Sequence, residues 1–129
     1  MVSSSLRDLA WVESSYDDLM EFPVEVRRIF GYNLSVVQDG GESTISKPLS
    51  GFGSAKVREL SENDASGTFR VVYTVEYADI VYVLHVFQKK SKNGIKTPQK
   101  DMDTINRRLR NLRREIEESK KDQKGPKNK

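Results

Sequence analysis

TFRVVYTVEYADIVYVLHVFQKKSKNGIKTP, residues 68–98, is the stretch that decides the fold. Phe69–Tyr77 and Ile80–Gln88 alternate around Ala78 and Asp79, the pattern of a β-hairpin. Apolar, aromatic or β-branched residues fill nearly all positions on both sides of these strands. Both faces are therefore expected to be covered, which places the hairpin at the centre of a sheet. The second strand runs straight into Lys89, Lys90, Lys92 and Lys96. A buried sheet ending in concentrated positive charge suits a scaffold that presents cations to a polyanion.

On the N-terminal side of the hairpin, the segment from Lys56 again shows period two. Val57 and Glu59 fall on one side of a strand, Arg58 and Leu60 on the other, ahead of the turn residues Asn63, Asp64, Ser66 and Gly67. Glu42–Ala55, with Pro48 and the PLSGFGSA run, reads as an irregular surface loop. Leu9–Val12 has strand character, and Ser14 or Ser15 can cap a short helix with Asp17 and Asp18 in its first turn. Pro23 suits the first turn of a second helix, which continues to the stop at Asp39–Gly41. Beyond the lysines, Thr97 and Pro98 begin a last helix. Its stripe of Met102, Ile105, Leu109, Leu112 and Ile116 can bury against the sheet or a partner. The expected architecture is α+β: a small antiparallel sheet packed on N-terminal helices, with a C-terminal helix. One domain is expected over 1–118, followed by a basic, disordered tail over 119–129.

Composition narrows the chemistry. Cysteine is absent and there is one histidine, so a zinc or haem site has almost no ligands to draw on, and no cofactor is expected. The N-terminus lacks the pattern of a signal peptide, and no apolar run approaches the roughly 20 residues needed to span a bilayer. A soluble, cytoplasmic protein is expected. The net charge of +3 hides an asymmetry: residues 1–87 hold 7 Lys+Arg against 13 Asp+Glu, and residues 88–129 hold 15 against 6. Such a basic half attracts phosphate backbones with little regard to sequence.

Several segments carry a resemblance to a known family: WVESSYDDLMEFP, KPLSGFG, GTFRVVYTV and, most specifically, VYVLHVFQKKSKNGIKTP. Over about residues 8–112 the chain resembles the RelE/HigB superfamily of type II toxin–antitoxin toxins, in its phage-derived HigB-like branch. The resemblance implies a RelE-like fold and metal-independent endoribonuclease activity on messenger RNA at the ribosome. It also implies a cognate helix-turn-helix antitoxin of the HigA-like kind.

The site residues follow from that reaction, in which a ribose 2′-hydroxyl attacks its neighbouring phosphate. Arg70 matches the superfamily's strand arginine, and a guanidinium can grip two phosphate oxygens; its other reading is an ion pair with Glu59 or Glu76. Lys89 and Lys90 match the family's paired lysines, as phosphate holders or as a proton donor or acceptor of lowered pKa. Glu59 resembles the glutamate that serves some members as base, or else it pairs with an arginine. Lys47, Lys56, Arg58, Lys92 and Lys96 extend the basic surface. His85 is either an RNA contact or a satisfied sheet histidine. The tyrosine or histidine pair that some relatives use near the C-terminus is replaced here by Lys and Arg. That departure keeps open a second function, a non-catalytic module that binds RNA or antitoxin with the same fold.

Overall fold

The computed structural model describes residues 6–54, 56–89 and 96–124. Its elements are β1 (Asp8–Trp11), α1 (Ser15–Met20), α2 (Val24–Gln38), β2 (Ser46–Pro48), β3 (Val57–Asp64), β4 (Gly67–Thr74), β5 (Ile80–Lys89) and α3 (Gln99–Lys124). They form one five-stranded sheet in the order β1-β5-β4-β3-β2. The β4–β5 hairpin lies inside the sheet, as its two-sided apolar pattern requires. The sheet is mixed rather than wholly antiparallel, because β1 adds to β5 in parallel while the other pairs are antiparallel.

Each face has its own core. On one, Leu19, Phe22, Val26, Phe30, Leu34 and Val37 of the α1–α2 layer meet Leu60, Phe69, Val71, Tyr73, Val81 and Val83. On the other, Ile105, Leu109 and Leu112 of α3 meet Val57, Val72, Leu84 and Phe87, with Met102 and Ile116 packed beside them. The apolar stripe of α3 is thus spent within the chain. This helix runs to Lys124, past the domain limit read at residue 118; residues 125–129 of the tail lie outside the described residues. None of the described helices is long and apolar enough to cross a membrane.

The loop expected over 42–55 contains the edge strand β2. Ser46, Lys47 and Pro48 carry little strand propensity, and their conformation is imposed by Leu60, Glu59 and Arg58 opposite. Proline is tolerated there because an edge strand can spare an N–H. Gly51, in the same loop, has φ 104°, and a Cβ there would come within 3.2 Å of Met102 Cε, so glycine lets the loop close against α3. Ser14 stands at the N-cap of α1, but its hydroxyl donates to Asp18 Oδ2 at 2.8 Å instead of capping the backbone. β4 ends at Thr74, three residues earlier than the periodicity suggests, where the Thr74 hydroxyl donates to Glu76 and accepts from its backbone N–H.

Candidate functional site

Directly opposed residues of paired strands share a sheet face. Register therefore carries the identity of one face across the whole sheet. Val72, in the core beneath α3, stands opposite Glu59 and His85, and Glu59 stands opposite Lys47. The next row on that face is Ser61, Arg70 and Phe87, and the one after it includes Thr68 and Lys89. Five candidate residues, Lys47, Glu59, Arg70, His85 and Lys89, thus lie on the α3 side. A cleft of about 740 Å³ opens there, lined by Lys47–Ser50 on one side and by Lys96–Gln99 and Met102 on the other, with Glu59 and Lys89 between them.

Glu59 lines this cleft, and Arg70, next to it, donates from Nη1 to Glu59 Oε2 at 2.8 Å. Arg70 is 5% exposed and Glu59 1%, so the arginine read as a phosphate grip is held, in this state, in the ion pair that was its other reading. Thr97 Oγ1 donates to the same carboxylate oxygen at 3.3 Å, tying the entry of α3 to the pair. Burying two charges is expensive, and their attraction offsets the loss only while both stay together. The pair is therefore a poised element: stable when closed, and costly if either partner is removed.

Lys47 and Lys96 are exposed, and half-buried Lys89 donates from Nζ to the Lys96 carbonyl at 2.9 Å. That bond joins the last residue of β5 to the segment leading into α3. It sets two lysines side by side at the mouth of the cleft. Lys90 and Lys92 lie outside the described residues.

Three candidates are not brought to this place. Arg58 projects to the opposite face, as the alternation of β3 dictates, where it donates to Ser46 Oγ at 2.9 Å and pairs with Glu42 at 2.8 Å. Lys56 is exposed beside Val75, at the other end of β4 from Thr68, the residue opposite Lys89. His85 is 9% exposed beneath α3 and bonded to Asp101, which fits the satisfied sheet histidine of its two readings. The tyrosines near the hairpin are also packed: Tyr73 is buried with its hydroxyl 2.7 Å from Ser46 Oγ, and the Tyr77 and Tyr82 rings meet edge-on.

The His85 environment rests on a β-bulge. Val72 pairs with His85 and Tyr73 with Val83, so Leu84 is an extra residue, and both it and His85 turn toward α3. His85 Nε2 lies 2.8 Å from Asp101 Oδ1, and Arg108 Nη1 lies 3.4 Å from Nδ1 while donating to the Leu84 carbonyl at 2.9 Å. Arg108 also donates to Ser14 Oγ at 3.1 Å and lies 3.3 Å from Glu13. Burial lowers the His85 pKa, against the opposing pull of Asp101. With a guanidinium facing Nδ1, the favoured imidazole is neutral and donates from Nε2 to the carboxylate. Asp101, Arg108 and Thr97 did not stand out in the sequence as site residues. Asp101 reads there as an ordinary acidic residue in a helix's first turn, and only the bulge opposite it reveals the partner.

Residues 17–110 match the model of the family described as Phage derived protein Gp49-like (DUF891). The chain belongs to this family. The Gp49-like segment runs from within α1 into α3 and contains every described residue lining the cleft. Two solved structures are similar in part. One is a double mutant of the E. coli toxin RelE in the free state, with a TM-score of 0.47 and 18% identity over 64% of this chain and 83% of that one. The other is the toxin–antitoxin complex RelBE2 from Mycobacterium tuberculosis, with a TM-score of 0.46 and 15% identity over 69% of this chain and 98% of that one. No curated protein matches the chain significantly.

Proposed function

We propose that this protein is the toxin of a type II toxin–antitoxin pair, a cytoplasmic endoribonuclease that cuts messenger RNA on the ribosome. The observation that supports this reading is the cleft. Glu59, Lys47, Lys89 and Lys96 line it, and Arg70 is paired with Glu59. Entry of an RNA phosphate would draw Arg70 from Glu59, leaving the carboxylate to accept the 2′-hydroxyl proton. The oxygen attacks phosphorus, Arg70 stabilises the charge on the phosphorane, and the 5′-oxygen leaves with a proton from a lysine ammonium. The products are a 2′,3′-cyclic phosphate and a free 5′-hydroxyl. The antitoxin is a HigA-like helix-turn-helix protein.

The test is induced expression in a bacterial host, with growth recorded and messenger RNA 5′ ends mapped. Native protein should arrest growth and create new 5′ ends inside translated codons. Glu59→Gln and Lys89→Gln, shown folded by circular dichroism, should lose both effects. The closed Arg70–Glu59 pair also favours a second reading, a non-catalytic module that binds RNA or antitoxin. Normal growth and intact messages from soluble native protein would select it.

A further inference from the structure

α3 buries one side of its length and leaves the other to solvent. With about 100° of rotation per residue, Arg107, Arg110 and Arg114 fall within about 60° of one another on the side opposite Ile105 and Leu112. All three are exposed, whereas Ile105 and Leu112 are buried. Asp103 lies one turn before Arg107, and Glu117 and Glu118 one turn after Arg114 on the same side, but none of the three forms an ion pair with these arginines; Asp103 accepts from Gln99 instead. Arg107 has a 3.5 Å contact with Glu13, which is itself 44% exposed; Arg114 donates to Asn111, a neutral neighbour one turn back. Arg110 has no hydrogen bond or ion pair with any described residue.

Like charges three and four residues apart weaken a helix by some tenths of a kcal/mol each. The ridge is thus a local liability whose chemistry suits an anionic partner. The three arginines rise about 10.5 Å along the axis, a length over which a nucleic-acid duplex carries about six phosphate charges. Arg107 lies about 12 Å along α3 from Gln99, at the wall of the cleft. Lys100, one residue beyond Gln99, is also exposed.

We propose that the outer face of α3 is a second contact surface for the phosphodiester backbone of RNA, distinct from the cleft, with Arg107, Arg110 and Arg114 as its cations. It supplies affinity and orientation, and no proton or phosphate chemistry. The idea deepens the function proposed above, because RNA held on the ridge has an end within reach of the cleft. Binding at the ridge does not require cleavage, so it can fail or hold independently of that function.

The test is fluorescence anisotropy of a labelled 20-base-pair RNA hairpin titrated with the full chain at several salt concentrations. The native protein is compared with Arg107→Gln/Arg110→Gln/Arg114→Gln and with Arg28→Gln on α2. Each phosphate contact contributes about 0.9 to the slope of log K against log salt on a duplex. The triple variant should lose at least tenfold in affinity and two to three in slope, while Arg28→Gln, at an exposed arginine of α2 away from both the cleft and α3, keeps the native affinity and slope. The single variant Arg110→Gln, at a site without described bonds, should retain the native melting temperature and lose about one unit of slope. Unchanged affinity and slope in the triple variant would overturn the proposal. So would equal displacement of the RNA by polyglutamate at matched charge, which would make the ridge a site for acidic protein. Loss of messenger cleavage with hairpin binding intact would count against the cleft alone.

Discussion

The two faces of the sheet solve the same burial problem with different chemistry. Beneath α1 and α2 the core is apolar, joined by Phe22 ring contacts to Phe30 and Phe69. Beneath α3 lie all the buried charged or imidazole side chains among the described residues: Glu59, Arg70, His85, Asp101 and Arg108. An apolar core stabilises in proportion to the area it removes from water and has no alternative partners. A buried charge stabilises only while its partner is present, so the α3 side can respond to a ligand. The α1–α2 face is held by apolar burial, and the α3 face adds buried charged groups to its own apolar core.

The sharpest way to break this contrast is to damage each face in turn. Phe30 is wholly buried, and Phe30→Ala should destabilise by about 4 kcal/mol through lost transfer energy and the cavity left behind. Chemical denaturation followed by circular dichroism would measure it. The variant should lower the midpoint without altering the proposed RNA binding at temperatures where it remains folded.

On the charged face the expected result is non-additive. Glu59→Ala leaves Arg70 buried without its carboxylate and should cost about 3 kcal/mol, as should Arg70→Ala. Glu59→Leu with Arg70→Met should recover most of that loss, because well-packed apolar replacements of a buried pair are close to neutral. The same double variant should lose the messenger cleavage proposed for the cleft. Thermal melts of the singles and the double measure the coupling; additive losses would mean that the pair is not the unit described here.

This difference also explains how much of the fold is legible in the sequence. The hairpin was legible because both of its faces are apolar at period two, and the α3 stripe because its spacing matches one helix face. β2 was hidden: Ser-Lys-Pro has no strand signal of its own, and β3 supplies the pairing. The gathering of lysines at the end of β5 was legible as charge, but the closed state of Arg70 was only one of two readings. Ser61 is directly opposite Arg70, and Glu59 reaches it along the diagonal. Such a contact depends on strand register and side-chain length, neither of which alternation encodes. Which of its two readings His85 takes is hidden for a related reason. A bulge shifts which residues share a face, and nothing in VYVLHVF marks Leu84 as the extra one.

The smallest effect separates the faces by pH. Burial lowers the His85 pKa below 6.5, so the folded chain resists a proton that the unfolded chain accepts. Between 6.5 and the lower folded value, the unfolded state binds more protons, and stability falls as pH falls. Above 6.5 both states are neutral at this position, and its contribution is constant. The apolar face contains nothing that titrates in that window, so the slope belongs to the α3 side. Thermal melts of native protein and His85→Gln from pH 8 to pH 5 would measure it. The native melting temperature should decline below pH 6.5, and the variant should show a shallower decline over the same interval. Because Asp101 pulls the other way, restoring part of the imidazole's affinity for a proton, Asp101→Asn should steepen the native decline. A decline of the same steepness in all three proteins would place the pH sensitivity outside the His85–Asp101 contact.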